Sequence, residues 1–541
     1  MTRRVPVLIV GGGPVGLSLA CELGWRGIAC ELIEQTDGRI VSPKMNEVNA
    51  RSMEICRRWG IADRVFNCPF PAAYPLDVAF VTSLFGYELN RLSRPGRVGQ
   101  QPGPESPHRM QACSQIWFDP ILKDFAASFP TVRLRYRCRL EAFAETPAGV
   151  TATVVDLESG AREEIEADYL VGCDGAGSMV RRALGIDLVG EGTIGHPINL
   201  FFRRKGLVEQ CGKPPATFYL GVDERGLWGS LRIIDPENGL WRLMIDSTDG
   251  SATPETVDRE FYLRRALGRP TEVEWVDVNI WRRRSALAES YGRGRVWLAG
   301  DAVHQLSPTG GMGMNTGVAD AADLGWKLAA VLQGWGGPHL LDSYDRERRP
   351  TGARAVRMAT WFYKNAENFP KGSPELAADG EAAERLRQKV GEALLKAIGP
   401  EFRTVGLQLG YRYADSPVCV PDGTAEPPDD PAEVTPSARP GARAPHAWLK
   451  DGRSILDLYG RGFTLIRFAG APSGTAIEAA ARARGVPVST VALDEPEAAA
   501  LYERKLALVR PDGHVAWRAD DPPADALALV DTVRGAARSD C

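Results

Sequence analysis

Residues 5–34 read VPVLIVGGGPVGLSLACELGWRGIACELIE, and they constrain the chain more than any other stretch. An apolar, β-branched run at 5–10 suits a buried parallel strand. The turn after it carries Gly11, Gly13 and Gly16, with Pro14 between the last two. Helical spacing comes next, with Leu19, Ala20 and Leu23 on one face, and Gly27 closes the helix. A second apolar strand ends at Glu34. The first glycine permits the tight turn, the second lets backbone approach a pyrophosphate at the helix N-terminus, and the third lets helix and strand pack closely. Glu34 stands where a carboxylate accepts the hydroxyls of an unphosphorylated ribose. The order strand, glycines, helix, strand, acid predicts a dinucleotide site. The motif alone does not choose between NAD and FAD.

With 541 residues the chain exceeds one ordinary domain. Its 44% apolar and 25% charged residues match a soluble globular enzyme. A net charge of −4 and scattered arginines give no electrostatic footprint for nucleic acid. No apolar run reaches the length of a membrane span. The basic start MTRR leads into too short an apolar run for a signal peptide, so an intracellular, cytoplasmic protein is expected. The ten cysteines include no CxxC pair, and the six histidines are dispersed, so neither a metal nor a dithiol redox site is expected. Cys21, Cys30 and Cys173 read as small hydrophobes.

Two further strand-to-helix turns lie downstream. The strand at 169–171 runs into Gly172, Cys173, Asp174, Gly175, Ala176, Gly177 and Ser178. The strand RVWLA at 295–299 runs into Gly300, Asp301, Ala302, Val303 and His304. After it, Pro308, Gly310, Gly311, Gly313, Met314 and Asn315 lead into a helix reaching about Leu332. Asp174 and Asp301 could instead be plain helix caps, and His304 reads as a packing or helix-start residue. Helices are expected at 46–60, 114–129 and 374–398. Antiparallel strands are expected at 216–222, 227–234, 240–246 and 272–281. Tyr219, Trp228, Trp241 and Trp281 on those strands could line an aromatic substrate pocket, although sheet aromatics more often fill a core. The chain then divides into a dinucleotide domain in three parts (1–75, 109–190 and 286–415, the last with a helical region). Substrate-domain strands fall at 76–108 and a substrate-binding sheet at 191–285. A proline-rich linker at 416–445 precedes a small α/β unit at 446–541, whose one cysteine is Cys541.

The three turns, in this order and at these separations, resemble the single-component FAD-dependent aromatic hydroxylases of the para-hydroxybenzoate and phenol hydroxylase type. The tail, with YRYADSPVC and ARPGARAPHAWL, resembles the thioredoxin-like extension of the phenol hydroxylase branch. The resemblance implies an α/β fold: a Rossmann-like FAD-binding domain, an interleaved antiparallel-sheet substrate domain and a C-terminal thioredoxin-like domain. It implies noncovalent FAD held by the first turn and Glu34, by Asp174 and Gly175 near the pyrophosphate, and by Asp301 at the ribityl chain. Residues 308–315 would face the pyrimidine edge, while Gln115 and Lys44 take the places of further flavin contacts. NAD(P)H, as co-substrate, would bind without a domain of its own. Reduced flavin would form a C4a-hydroperoxide with O₂ and hydroxylate an aromatic, phenolic ring; no residue assisting its deprotonation is identified. Epoxidation or Baeyer–Villiger-type oxygenation of a polycyclic natural product is the alternative on the same scaffold, and a non-enzymatic flavoprotein the reading from another class. The tail is expected to serve packing or a homodimer contact.

Overall fold

The computed structural model describes residues 3–537 apart from 225, 248, 249, 368, 370 and 371. Cys541 therefore lies outside the described residues. The first sheet runs in the order Gly292–Arg293, Val296–Leu298, Arg162–Gly172, Arg3–Val10, Cys30–Glu34, Val132–Tyr136. A hairpin of Cys138–Thr146 and Gly149–Asp156 is attached to Arg162–Gly172. The central pairs are parallel. Their register places the site. Val10 stands opposite both Ile33 and Gly172, and Gly172 stands opposite Leu298. Three strands thus end level, and the three glycine turns begin side by side at the carboxyl edge of the sheet, where ligands of such folds bind.

The helix Gly313–Leu332 lies across the helix Pro14–Trp25 at close range. Glycines permit the approach. A Cβ on Gly317 would meet Val15 Cγ2 at 2.4 Å, and one on Gly325 would meet Glu22 Cγ at 2.5 Å. The expected helix at 46–60 starts later, at Ala50. Glu47–Val48 instead pairs with Gln111–Ala112, and the Asn49 side chain accepts from the Ser52 N–H to cap Ala50–Trp59.

The second sheet has nine strands in the order His304–Gln305, Arg283–Ala288, Leu188–Arg203, Leu240–Ser247, Gly226–Asp235, Phe218–Asp223, Val78–Val81, Glu88–Leu92, with Glu274–Ile280 also on Leu188–Arg203. Phe218–Asp223 and Val78–Val81 pair in parallel. One face packs on the helix Arg259–Leu267 through Leu200, Phe202, Leu231 and Leu243. The opposite face looks toward the glycine turns.

The C-terminal sheet, ordered Val488–Leu493, Phe463–Phe468, Leu506–Val509, Val515–Ala519, carries the helices Thr475–Ala483, Pro496–Tyr502 and Ala526–Val533. Its core is continuous with the long helix: Trp326 and Trp335 stack 6.3 Å apart, and each meets Phe463 edge-on at 6.2 Å. No helix among the described residues is long and apolar enough to cross a membrane.

Candidate functional site

A cavity of about 1320 Å³ opens between the glycine turns and the second sheet. Gly13 and Pro14 line it from the first turn, Gly175 from the second and Asp301 from the third. Pro308, Gly310, Gly311, Gly313, Met314 and Asn315 line it from the loop beyond, and Lys44 and Gln115 from the adjoining segment. Gly11, Gly16, Glu34 and Asp174 lie outside the lining. The two glycines are packed into the turn itself: a Cβ on Gly11 would meet Cys173 O at 2.4 Å, and one on Gly16 would meet Gly11 O at 2.0 Å. Glu34 accepts the N–H groups of Gly12 and Thr36, each at 2.7 Å. Asp174 Oδ2 accepts from Met179 and Val180 N–H at 2.7 and 3.1 Å, so the carboxylate caps the short helix Met179–Ala183.

Several lining side chains are engaged with the protein. Gln115 accepts the Lys44 N–H at 2.9 Å and donates to Asp119, whose carboxyl is pushed up to about 7 by burial. Asn315 is saturated. Its Oδ1 accepts from Asn49 N–H at 2.9 Å and Ser52 Oγ at 2.7 Å, and its Nδ2 donates to Glu47 O and Gly311 O. Asp301 differs: its side chain is exposed to the cavity. The turn beneath it is held from below. Asp320, fully buried on the long helix, accepts the Gly300 N–H at 3.1 Å, meets His304 Nε2 at 2.8 Å and binds Arg348 at 2.8 Å. Burial opposes the Asp320 carboxylate, but Arg348 and His304 outweigh it and hold the carboxyl below its ordinary range. His304 is thus a structural partner, and Asp320 is a support whose partners are 16 to 28 residues away in sequence.

The substrate-side aromatics require a correction. Tyr219, Trp228 and Trp241 sit in the core on the far face of the sheet, away from the cavity. Their polar atoms are spent there: Tyr219 Oη accepts from Ala216 N–H, and the indoles of Trp228 and Trp241 donate to Thr82 O and Arg204 O. The reason is strand parity, which sends neighbours to opposite faces. Phe218 and Arg242, next to Tyr219 and Trp241, line the cavity instead, and Trp281 joins them.

The cavity face of the sheet carries one row in register: Phe218 opposite Arg232, Arg232 opposite Arg242, Arg242 opposite Phe201. Two arginines thus stand directly across from each other, an arrangement that costs stability. Arg232 donates to Glu47 at 2.5 Å and lies over the Phe218 ring at 5.4 Å. Arg242 is 8% exposed, and its guanidinium has no hydrogen-bond or ion-pair partner among the described residues. Burial, then Arg232 and Arg283, push its pKa down to about 9. Nothing in the local sequence marks Arg242, because its meaning comes from neighbouring strands.

The residues present fit FAD. The helices Pro14–Trp25 and Gly313–Leu332 both begin at the cavity, and neither has a side-chain cap on its first N–H groups. These are unspent donors suited to a pyrophosphate at one helix and an electron-rich ring edge at the other. A Cβ added at Gly13 would meet nothing within 4 Å, so there is room for a ligand in front of that turn. Asp301 supplies a free acceptor between the two. Among the described residues no three His, Cys, Asp or Glu side chains are grouped to hold a metal ion.

Comparison with known proteins agrees with this geometry. Residues 4–359 match the model of the FAD binding domain family, and residues 437–537 match that of the aromatic-ring hydroxylase C-terminal domain. The FAD-dependent monooxygenase apdD of Emericella nidulans is 35% identical, over 95% of this chain and 87% of that protein. The tetracenomycin A2 monooxygenase-dioxygenase of Streptomyces glaucescens is 34% identical, over 97% of this chain and 95% of its own. Chromopyrrolic acid-soaked RebC with bound 7-carboxy-K252c superposes with a TM-score of 0.93 at 40% identity, covering 99% of this chain and all of that one. With its three converging turns, its open helix N-termini and matches along nearly its whole length, the chain belongs to the FAD-dependent aromatic-ring hydroxylases, a family of flavoprotein monooxygenases.

Proposed function

We propose that this enzyme uses NAD(P)H and O₂ to place one oxygen atom on a hydroxylated polycyclic aromatic substrate that carries a carboxylate. The observation that carries this reading is Arg242, a buried cation with no hydrogen-bond or ion-pair partner among the described residues, on an aromatic cavity wall directly opposite a second arginine. A buried charge without a partner is expensive, and an anionic ligand would relieve it. Phe201, Phe218, Met244 and Trp281 around it offer flat apolar surface to fused rings. The volume exceeds the roughly 300–1,000 Å³ usual for one drug-sized ligand, in keeping with a flavin ring and a substrate side by side. RebC, whose bound ligand is 7-carboxy-K252c, and the tetracenomycin oxygenase support a polycyclic substrate.

FAD would lie along Gly13, Gly175, Asp301 and the loop 308–315, and when bound it supplies reduction by NAD(P)H and activation of O₂. The chain orients the ring edge through N–H groups at Gly313–Leu332, anchors the substrate carboxylate at Arg242 and Arg232, and seats both in one cavity. The test is a panel of hydroxylated polycyclic aromatics offered with and without a carboxyl group. Carboxylated members should accelerate NADPH or NADH oxidation and yield products heavier by one oxygen. Equal response to the neutral counterparts would sink the anion reading, and a flat response to the whole panel would sink the substrate class.

A further inference from the structure

Among the described residues, four acidic side chains line the cavity: Glu47, Glu105, Asp301 and Glu401. Glu47 is held by Arg232 and Arg94, and Glu105 by Arg109. Asp301 faces the FAD turns. The one histidine that lines the cavity among the described residues, His108, lies 3.4 Å from Arg57 and is held below its ordinary range by burial and that charge. Glu401 stands apart. It lies on the turn Gly399–Phe402, far in sequence from the three glycine turns, and forms no ion pair among the described residues. Its Oε1 accepts the Gly310 N–H at 3.3 Å, which places the carboxyl against the loop assigned to the flavin ring. The next residue, Phe402, meets Phe218 edge-on at 6.0 Å and lies under Arg94 at 5.6 Å, on the wall assigned to the substrate. Glu401 therefore spans the junction of the two ligand seats.

We infer that Glu401 is the acid–base residue of this cavity, accepting the proton of the substrate's ring hydroxyl. The inference rests on the proposed monooxygenase reading. In the step the substrate O–H bond breaks and a carboxyl O–H bond forms. The electron pair stays on the ring oxygen, and the resulting phenolate is more electron-rich at the carbons that accept oxygen. The proton returns when the product's ring oxygen is reprotonated. The electrostatics suit the task. Burial raises the Glu401 carboxyl to about 7, against the lowering effects of the Gly310 N–H, Arg283 and Arg232, and with a raising contribution from Glu47. A base poised near the working pH is the efficient one.

Glu401→Gln preserves shape and the acceptor for Gly310 while removing the titration. In the FAD-loaded enzyme, with the best substrate of the polycyclic panel, kcat should fall on the order of 10²-fold or more, with KM changed only a few-fold. Wild-type kcat should rise with pH through neutrality, and the variant should lose that limb. Infrared difference spectra of wild type against variant, taken without substrate, should show a protonated carboxyl band that disappears over the same pH range. Glu401→Asp, which keeps the carboxyl, should retain the limb at reduced kcat, and it carries the test if the Gln variant fails to hold FAD. An unchanged pH profile in the Gln variant, or a carboxylate already ionised below that range, overturns the assignment while leaving the monooxygenase reading intact. A wild type that oxygenates no member of the panel overturns the substrate reading and this inference with it.

Discussion

At the scale of single residues, the site is defined by side chains that have no partner among the described residues. Arg242 is retained opposite Arg232 at a cost in stability, and strained or unpaired groups of this kind collect at functional sites. Arg242→Gln should therefore act in two directions at once. Thermal stability should rise, because a like-charge cross-strand pair disappears. KM for a carboxylated substrate should rise roughly 10- to 100-fold, the equivalent of a charge-assisted hydrogen bond of about 1.5–3 kcal/mol. Scanning calorimetry and steady-state kinetics on one preparation read both, and a lower melting temperature with unchanged KM would make Arg242 structural. Asp301 gives the cofactor counterpart. Its side chain is exposed and no hydrogen bond to it is formed among the described residues, so Asp301→Ala should leave the melting temperature of the apoprotein unchanged. FAD affinity should fall by about 1.5–3 kcal/mol, read by recovery of flavin fluorescence on dilution. Full retention of FAD would remove Asp301 from the site.

At the scale of elements, what is legible in the sequence is whatever is local. The three turns announce themselves through strand, glycine and helix patterns within about thirty residues, and the register of Val10, Gly172 and Leu298 brings them level. The substrate wall does not, because residue type suggests a pocket aromatic while strand parity decides the face. Tyr219 and Trp241 point into the core, and the adjacent Phe218 and Arg242 point into the cavity. Glu401 and Asp320 act through partners that only the folded chain supplies, and no spacing rule reaches them. Asn315 shows both sides. Its place beside the cavity is legible, but its bonds to Asn49, Ser52 and Glu47 clamp the N-terminus of Gly313–Leu332 to a segment more than 260 positions away. Asn315→Ala would leave the buried Asn49 N–H without its acceptor, at about 1–3 kcal/mol. Both the melting temperature and FAD occupancy should drop, and addition of excess FAD should recover part of the stability by mass action. Loss of FAD binding with no change in apoprotein stability would instead make Asn315 a direct cofactor ligand.

At the scale of the whole molecule, the C-terminal domain is joined to the FAD domain by buried charge as well as by the shared Trp326–Phe463 core. Arg510 binds Glu347 at 2.6 Å and Asp323 at 3.0 Å, and Lys327 binds the same two carboxyls at 2.5 and 2.7 Å, all within the interior. Closer to the cavity, Glu54 on the helix Ala50–Trp59 is clasped by Arg443 from the C-terminal segment and by Arg51, which also donates to Asp512 O at 2.7 Å. Such clusters are costly to desolvate, and breaking one partner costs more than the pair contributes. The two halves should therefore melt together. The pH dependence has a definite sign. Burial opposes ionisation of Glu54, but Arg443 and Arg51 overcome it and bring its carboxyl down to about 2. A carboxyl depressed in the folded state stabilises fully above its unfolded value near 4.3, and that stability is lost as pH falls toward the folded value. The shift corresponds to roughly 3 kcal/mol. The melting temperature of the FAD-loaded enzyme should thus fall steeply below about pH 4.5. Glu54→Gln should begin lower at pH 7, since it leaves Arg443 buried without its anion, and should then fall along a shallower slope. Parallel curves for the two proteins would show that Glu54 does not link domain association to pH.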